Sequence, residues 1–287
     1  KTYYNINDKG LRDICYVPHS RKLASNQKQV NTSTHNTLLY FKEGEEDRNK
    51  YATYLIDECS MLSKGQQEDL IEILGGRIIF MGDPDCQLPF IKPDEIAIEK
   101  LAERFGGLKK IPKKYFEPFD KHSSLIQNIV TLTKNYRIKC DVLREVTLRL
   151  RDIILNNIEY ENPLYTYFPE IKTIDRQELK SLYNYKEDII LVTTHKRNDE
   201  YNKIFEGQEK YKVLQNGYGH YNGSIVFEKP RGVKSEIRHG YTVHSVQGET
   251  YEGKIFIDVT GMDNKAKMLY TAISRGQYAE KIYFVIP

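Results

Sequence analysis

The sequence predicts an α/β chain in which parallel sheets are covered by helices, and three observations carry that prediction. Short apolar, β-rich runs recur at 13–17, 54–56, 77–81, 129–132, 189–193, 254–259 and 281–286, several with apolar neighbours on both faces, as in strands buried on two sides. Helical patterns lie between them, and strand–helix–strand alternation is the signature of parallel sheets joined by crossovers. A length of 287 residues suits two domains, each with its own apolar interior.

Taken in order, the first run leads into Pro18-His19-Ser20, and the second stops abruptly at Asp57. Ser63 with Gln66 three residues on reads as a capping box, Leu70, Ile71 and Leu74 supply the apolar face of the helix it starts, and Gly75 stops it. The stretch 106–122, with Lys109, Lys110, Pro112, Lys113, Lys114 and Pro118, reads as an exposed connection. A boundary falls within 125–135, giving domains of 1–128 and 129–287. Leu143, Val146, Leu150, Ile153 and Ile154 form one face of a helix over 140–156. Glycines punctuate 205–240, which reads as a small β-rich insertion in the second domain.

Composition excludes several classes. There is no run of apolar residues long enough to span a bilayer and no charged-then-apolar leader, so the expectation is a soluble intracellular protein, cytoplasmic or nuclear, without a membrane partner. Cys15, Cys59, Cys86 and Cys140 are too scattered for a metal cluster and are expected as reduced thiols. A net charge of +3 is too small to imply nucleic-acid binding without motifs.

Motifs do carry chemistry. Asp57-Glu58 ends an apolar strand, where open α/β sheets bind ligands. In nucleotide hydrolases the first such carboxylate holds Mg²⁺ and the second polarises the attacking water. Taken alone, the pair is more often solvated loop charge. Gly82-Asp83-Pro84 ends the next run, with Gln87 able to hydrogen-bond a γ-phosphate or a neighbouring water; the plain alternative is a turn. Arg137, in Asn135-Tyr136-Arg137, and Arg275, in Tyr270 to Arg275, offer planar cations for transferring phosphoryl oxygens, although lone arginines are commonly surface ion pairs. Thr242 to Thr250, with His244, Ser245, Gly248 and Glu249, and the group Thr193-Thr194-His195 supply short polar side chains that bond phosphodiester oxygens without reading sequence.

Together these segments resemble superfamily 1 helicases. Asp57-Glu58 is similar to that family's motif II, 82–89 to motif III, Asn135-Tyr136-Arg137 to motif IV, 242–250 to motif V and 270–275 to motif VI, in family order and over nearly the whole chain. Pro18, His19 and Ser20 resemble motif Ia, and Thr34-His35 the Thr-x-His segment of the branch containing RecD. The resemblance implies two RecA-like domains with ATP and Mg²⁺ in the cleft between them. Glu58, Gln87, Arg137 and Arg275 would be catalytic, and Asp57, Gly248 and Glu249 would lie at the nucleotide. Single-stranded nucleic acid, DNA ahead of RNA, would lie against Pro18, His19, Ser20, Thr34, His35, Thr193, His195, Thr242, His244 and Ser245. The family's complete phosphate loop is missing. Lys1-Thr2, followed by a short helical stretch, Gly10 and the first strand, stands where the loop's last two residues would, with Thr2 sharing Mg²⁺ with Asp57 and the chain forming part of a longer polypeptide. The leading expectation is a 5′-to-3′ DNA helicase motor. A viral RNA helicase working in a viral replication complex and a non-catalytic binding module stay open as alternatives.

Overall fold

The computed structural model describes residues 13–18, 31–90, 92–93, 95–160, 163–215, 217–220, 223–262 and 265–287. The chain divides into two compact units. The first ends at Thr131, and the second comprises Leu132–Pro287 with the short stretch Asp85–Gln87.

The first unit contains β1 (Ile14–Val17), β2 (Asn31–Thr32), α1 (His35–Tyr40), α2 (Glu43–Asp47), β3 (Thr53–Ile56), α3 (Lys64–Ile73), β4 (Arg77–Phe80) and α4 (Glu95–Phe105). Its sheet has the order β2-β1-β3-β4 with every pair parallel, so all four strands end on one edge. Cys15, Val17, Tyr54 and Ile56 pack with Leu38, Leu62 and Leu70 in the core, each large apolar side chain contributing about 1.5–3 kcal/mol relative to exposure. The capping box forms as the sequence predicts: Ser63 Oγ accepts from the Gln66 N–H at 3.2 Å, and Gln66 Oε1 accepts from the Ser63 N–H at 3.0 Å.

Two expectations need correction. The apolar run at 129–132 is irregular rather than a strand, with Ile129, Val130 and Leu132 exposed. β propensity is realised only where a neighbouring strand supplies the ladder, and this segment pairs within none of the sheets. The 106–122 connection is only partly exposed. Lys109, Lys110 and Lys113 face solvent, but Tyr115 is buried, its hydroxyl donating to Asp69 at 2.9 Å, where Arg104 also donates at 2.9 Å. Gly65 permits this, because a Cβ there would come within 2.6 Å of the Tyr115 ring.

The second unit contains α5 (Asp141–Leu155), β5 (Lys172–Ile174), α6 (Arg176–Leu182), β6 (Ile189–Val192), α7 (His195–Ile204), β7 (Tyr211–Val213), β8 (Ile225–Val226), β9 (Ser235–Ile237), β10 (Gly240–Thr242), β11 (Ile255–Asp258), α8 (Ala266–Ile273) and β12 (Ile282–Val285). Its main sheet, β10-β6-β11-β12-β5, is wholly parallel. β6 and β11, at its centre, are buried at every position, as apolar runs on two-faced strands should be. A separate antiparallel sheet, β8-β7-β9, forms the expected insertion. Both units are therefore parallel sheets flanked by helices, the fold class that the sequence predicts. Among the described residues no helix is long and apolar enough to cross a membrane.

Candidate functional site

In the first unit the parallel register brings the ends of β1, β3 and β4 side by side. The carbonyl of Val17, the last residue of β1, accepts both the Asp57 N–H at 3.0 Å and His35 Nε2–H at 3.1 Å. Three segments far apart in sequence thus meet on one oxygen. The Cys59 N–H donates to the Met81 carbonyl at 2.9 Å, tying the end of β3 to the end of β4. Gly82 follows with φ 153°, and a Cβ there would lie 2.9 Å from Cys59 Sγ. That close approach is why glycine is needed.

Asp57 is held at both oxygens. Oδ1 accepts from the Glu58 N–H at 2.9 Å, and Oδ2 accepts from the Tyr16 hydroxyl. Glu58 is buried and has φ 51° and ψ 48°, a left-handed conformation rare for glutamate. Such backbone persists only where its surroundings enforce it, and it clusters at functional sites. Burial, then the Glu58 and Asp57 carboxylates, push the Cys59 thiol up to about 12, so it stays protonated. Among the described residues no group of three or more His, Cys, Asp or Glu could hold a metal. A cation carried by one or two carboxylates and phosphate oxygens needs no such cage, so Asp57 suits Mg²⁺ held in that way.

Thr34 and His35 have structural partners. Thr34 caps α1, its Oγ1 accepting from the Thr37 N–H at 3.2 Å, and His35 is buried. Pro18 is buried beyond the end of β1, and Gln87, which belongs to the short stretch grouped with the second unit, is buried past the turn that follows β4. Lys1, Thr2, Gly10, His19 and Ser20 lie outside the described residues.

In the second unit the adjacent strands β6 and β10 end at Val192 and Thr242, which are register partners. Thr193, His195, Thr242 and His244 therefore gather at one edge. Thr193 Oγ1 donates to the Thr260 carbonyl at 3.2 Å, and Ser245 Oγ to the Thr242 carbonyl at 2.8 Å. His195 and Ser245 are exposed. Burial lowers the pKa of His244, leaving its ring neutral near pH 7.

Because β11 is parallel to β6 and β10, residues 243–254 must return to the opposite edge of the sheet. The arginines are found along that return. Arg275 is fully buried, with Nε donating to the Thr271 carbonyl at 3.0 Å, Nη1 to the Glu249 carbonyl at 3.1 Å and Nη2 to Ser274 Oγ at 3.0 Å. Arg137 is half-buried and donates to the Ser274 carbonyl at 3.1 Å, so the two arginines are neighbours despite their separation in sequence. Asn135 Oδ1 accepts from the N–H groups of Arg137 and Ile138, fixing that turn. Gly248, with φ 86°, makes the bend before Glu249. Sequence reasoning missed Tyr16 and Thr260, neither of which has a motif-level signal.

No protein-family model matches the chain, and the comparison with curated proteins finds no match. Solved structures do match. Pif1 helicase from Bacteroides in complex with ADP-AlF3 and ssDNA is 18% identical with a TM-score of 0.60, covering 95% of this chain and 82% of that one. Bacteroides Pif1 bound to ssDNA is 16% identical with a TM-score of 0.63, covering 96% and 83%. Pif1 helicase from Candida albicans is 14% identical with a TM-score of 0.51, covering 97% and 85%. The fold of this chain is the α/β, RecA-like fold of these helicase structures.

Proposed function

We propose that the protein is the motor of a superfamily 1 helicase, hydrolysing ATP to move along single-stranded DNA. The observation that carries this reading is the end of β3. There Asp57 is fixed at both oxygens, and Glu58 is held in a left-handed conformation next to Cys59, against which Gly82 packs just after β4. Mg²⁺, when bound, neutralises charge on the phosphates. Asp57 is the carboxylate that would hold it, and Glu58 the group that would orient the attacking water and take its proton. Gln87 would bond the γ-phosphate or that water. Arg137 and Arg275 would stabilise charge on the transferring phosphoryl group, Arg275 being fixed in orientation by its bonds to Thr271, Glu249 and Ser274.

Thr193, His195, Thr242, His244 and Ser245 would meet the strand through its phosphates, largely without regard to base sequence. The segment 242–249 joins this edge to Arg275 through the Glu249 carbonyl, so a shift of the strand at one end has a mechanical route to the arginine at the other. Single-stranded DNA is supported by two of the similar structures, in which Bacteroides Pif1 is bound to ssDNA. A 5′-to-3′ direction rests on the Thr34-His35 segment.

The test is Glu58→Gln. In the protein extended upstream through a complete phosphate loop, ATP turnover should fall by at least about a hundredfold, the scale of general-base catalysis, while nucleotide binding is retained. Turnover close to wild type would overturn the assignment.

A further inference from the structure

β1 alternates strictly. Cys15 and Val17 are buried in the core, whereas Tyr16 projects from the other face and is only half-buried. Tyr16 is the register partner of Leu55 on β3. Side chains of a strand alternate between faces, so Leu55 and Asp57 share the face of Tyr16, with Asp57 one step diagonally beyond. A tyrosine is long enough to span that diagonal, and its hydroxyl does reach Asp57 Oδ2. A phenylalanine would pack on the same face but could not donate.

From this geometry we infer that Tyr16 is a positioning residue for the divalent cation held by Asp57. The inference rests on the nucleotide-hydrolase reading of the β3 edge given above. With the Glu58 N–H on Oδ1 and the Tyr16 O–H on Oδ2, the carboxylate plane is clamped from both sides, and the lone pairs left over define where a cation can sit. Without the Tyr16 hydroxyl the carboxylate is held at Oδ1 alone and can rotate about its Cβ–Cγ bond. Donors to metal-ligating carboxylates commonly tune affinity in this way.

The experiment titrates Mn²⁺, with ADP present, into the protein extended upstream through a complete phosphate loop, following water-proton relaxation, for wild type, Tyr16→Phe and Asp57→Asn; ADP affinity is measured separately in chelator. Tyr16→Phe should weaken Mn²⁺ binding by about tenfold, the lower end of outer-shell effects, with metal-free ADP affinity unchanged. Asp57→Asn should abolish the Mn²⁺ site. If Asp57→Asn does so while Tyr16→Phe stays within about twofold of wild type, Tyr16 has no positioning role and the nucleotide reading survives. Loss of metal-free ADP binding in Tyr16→Phe also overturns the inference, because it marks general disruption of the unit. If wild type shows no Mn²⁺ site, or Asp57→Asn binds as wild type does, the nucleotide reading falls and this inference with it.

Discussion

The ends of β3 and β4 in the first unit and of β6 and β10 in the second are chemically unlike. In the first unit the strand ends carry carboxylates, and the backbone there is strained at Glu58 and closely packed at Gly82. In the second unit the ends of β6 and β10 carry hydroxyls and imidazoles, unstrained and partly exposed, and the carboxylate that ends β11, Asp258, is buried and accepts from the Tyr201 hydroxyl at 2.8 Å and the Thr260 N–H at 2.9 Å. The buried cations of this unit lie elsewhere: Arg275 along the return from β10 to β11, and Lys210 and Arg238 at the root of the β7–β9 insertion. The contrast teaches that one architecture can be tuned for two ligands by the residues that follow its strands. Fixed carboxylates suit a small, highly charged cation, whereas neutral donors suit a polymer that must be gripped and released.

Arg275 and Lys210 sharpen the comparison and give the largest expected stability effect. Arg275 has a hydrogen bond at each of its guanidinium nitrogens, whereas Lys210 donates to the Asp188 carbonyl at 2.6 Å and to the Tyr183 hydroxyl at 3.2 Å. Burial lowers the Lys210 pKa to about 8, partly offset by the Asp188 charge. Above that pH the folded chain has lost a proton that the unfolded chain keeps until its ordinary lysine pKa. Stability should therefore rise with pH across that window, by on the order of 3 kcal/mol from this group. Urea unfolding at stepped pH measures it. Lys210→Met should flatten the profile between those values, and an equally steep profile in that variant would assign the effect to another group. His239, its pKa lowered to about 4 by burial, adds a rise of the same sign between there and its ordinary range.

Gly82→Ala probes the tighter edge. The new methyl would meet Cys59 Sγ at 2.9 Å and the Cys59 nitrogen at 3.0 Å, in a backbone conformation that alanine resists. Cys59 follows Glu58, so displacement reaches the strained residue directly. Stability should fall by about 2 kcal/mol, within the range for overpacking and local strain, and turnover should fall more than nucleotide affinity. Equal losses in turnover and affinity would show that the glycine serves packing alone.

Much of this was legible in the sequence, for reasons that individual residues make plain. β3, β6 and β11 announced themselves because strands buried on both faces need continuous apolar runs, and Asp57 stood out because a charge ended such a run. β5 escaped notice because it is an edge strand in which only Ile174 is buried. The run at 129–132 misled because composition reports propensity and says nothing of a partner strand. Tyr16 was invisible for a different reason: tyrosine suits any half-buried strand, and its bond to Asp57 follows from register, which one chain segment cannot reveal. The pairing of Arg137 with the backbone beside Arg275 depends on how α5 and the end of α8 pack. The left-handed backbone of Glu58 had no signal at all, since glutamate has no preference for that conformation.

The smallest expected effect tests whether the second edge is as neutral as it looks. Thr193 contributes a hydroxyl, His244 a ring kept neutral by burial, and neither carries charge to a phosphodiester near pH 7. Release of condensed counterions, and hence the salt dependence of strand binding, comes from cationic contacts. Removing a neutral donor should then lower affinity by the same factor at every salt concentration. Thr193→Val keeps the branched shape and deletes the hydroxyl, which donates to the Thr260 carbonyl at 3.2 Å in this structure. The expected loss is roughly 1 kcal/mol, about fivefold in single-strand affinity, with the slope of log affinity against log salt unchanged between roughly 50 and 200 mM. Lysines near the same edge, such as Lys196 at the start of α7, should behave in the opposite way: Lys196→Gln should make the slope shallower by about one unit if it meets a phosphate. Fluorescence titrations over that salt range separate the two. A slope change in Thr193→Val would mean that the hydroxyl positions a cationic contact, and the edge would then be no more neutral than its counterpart is uncharged.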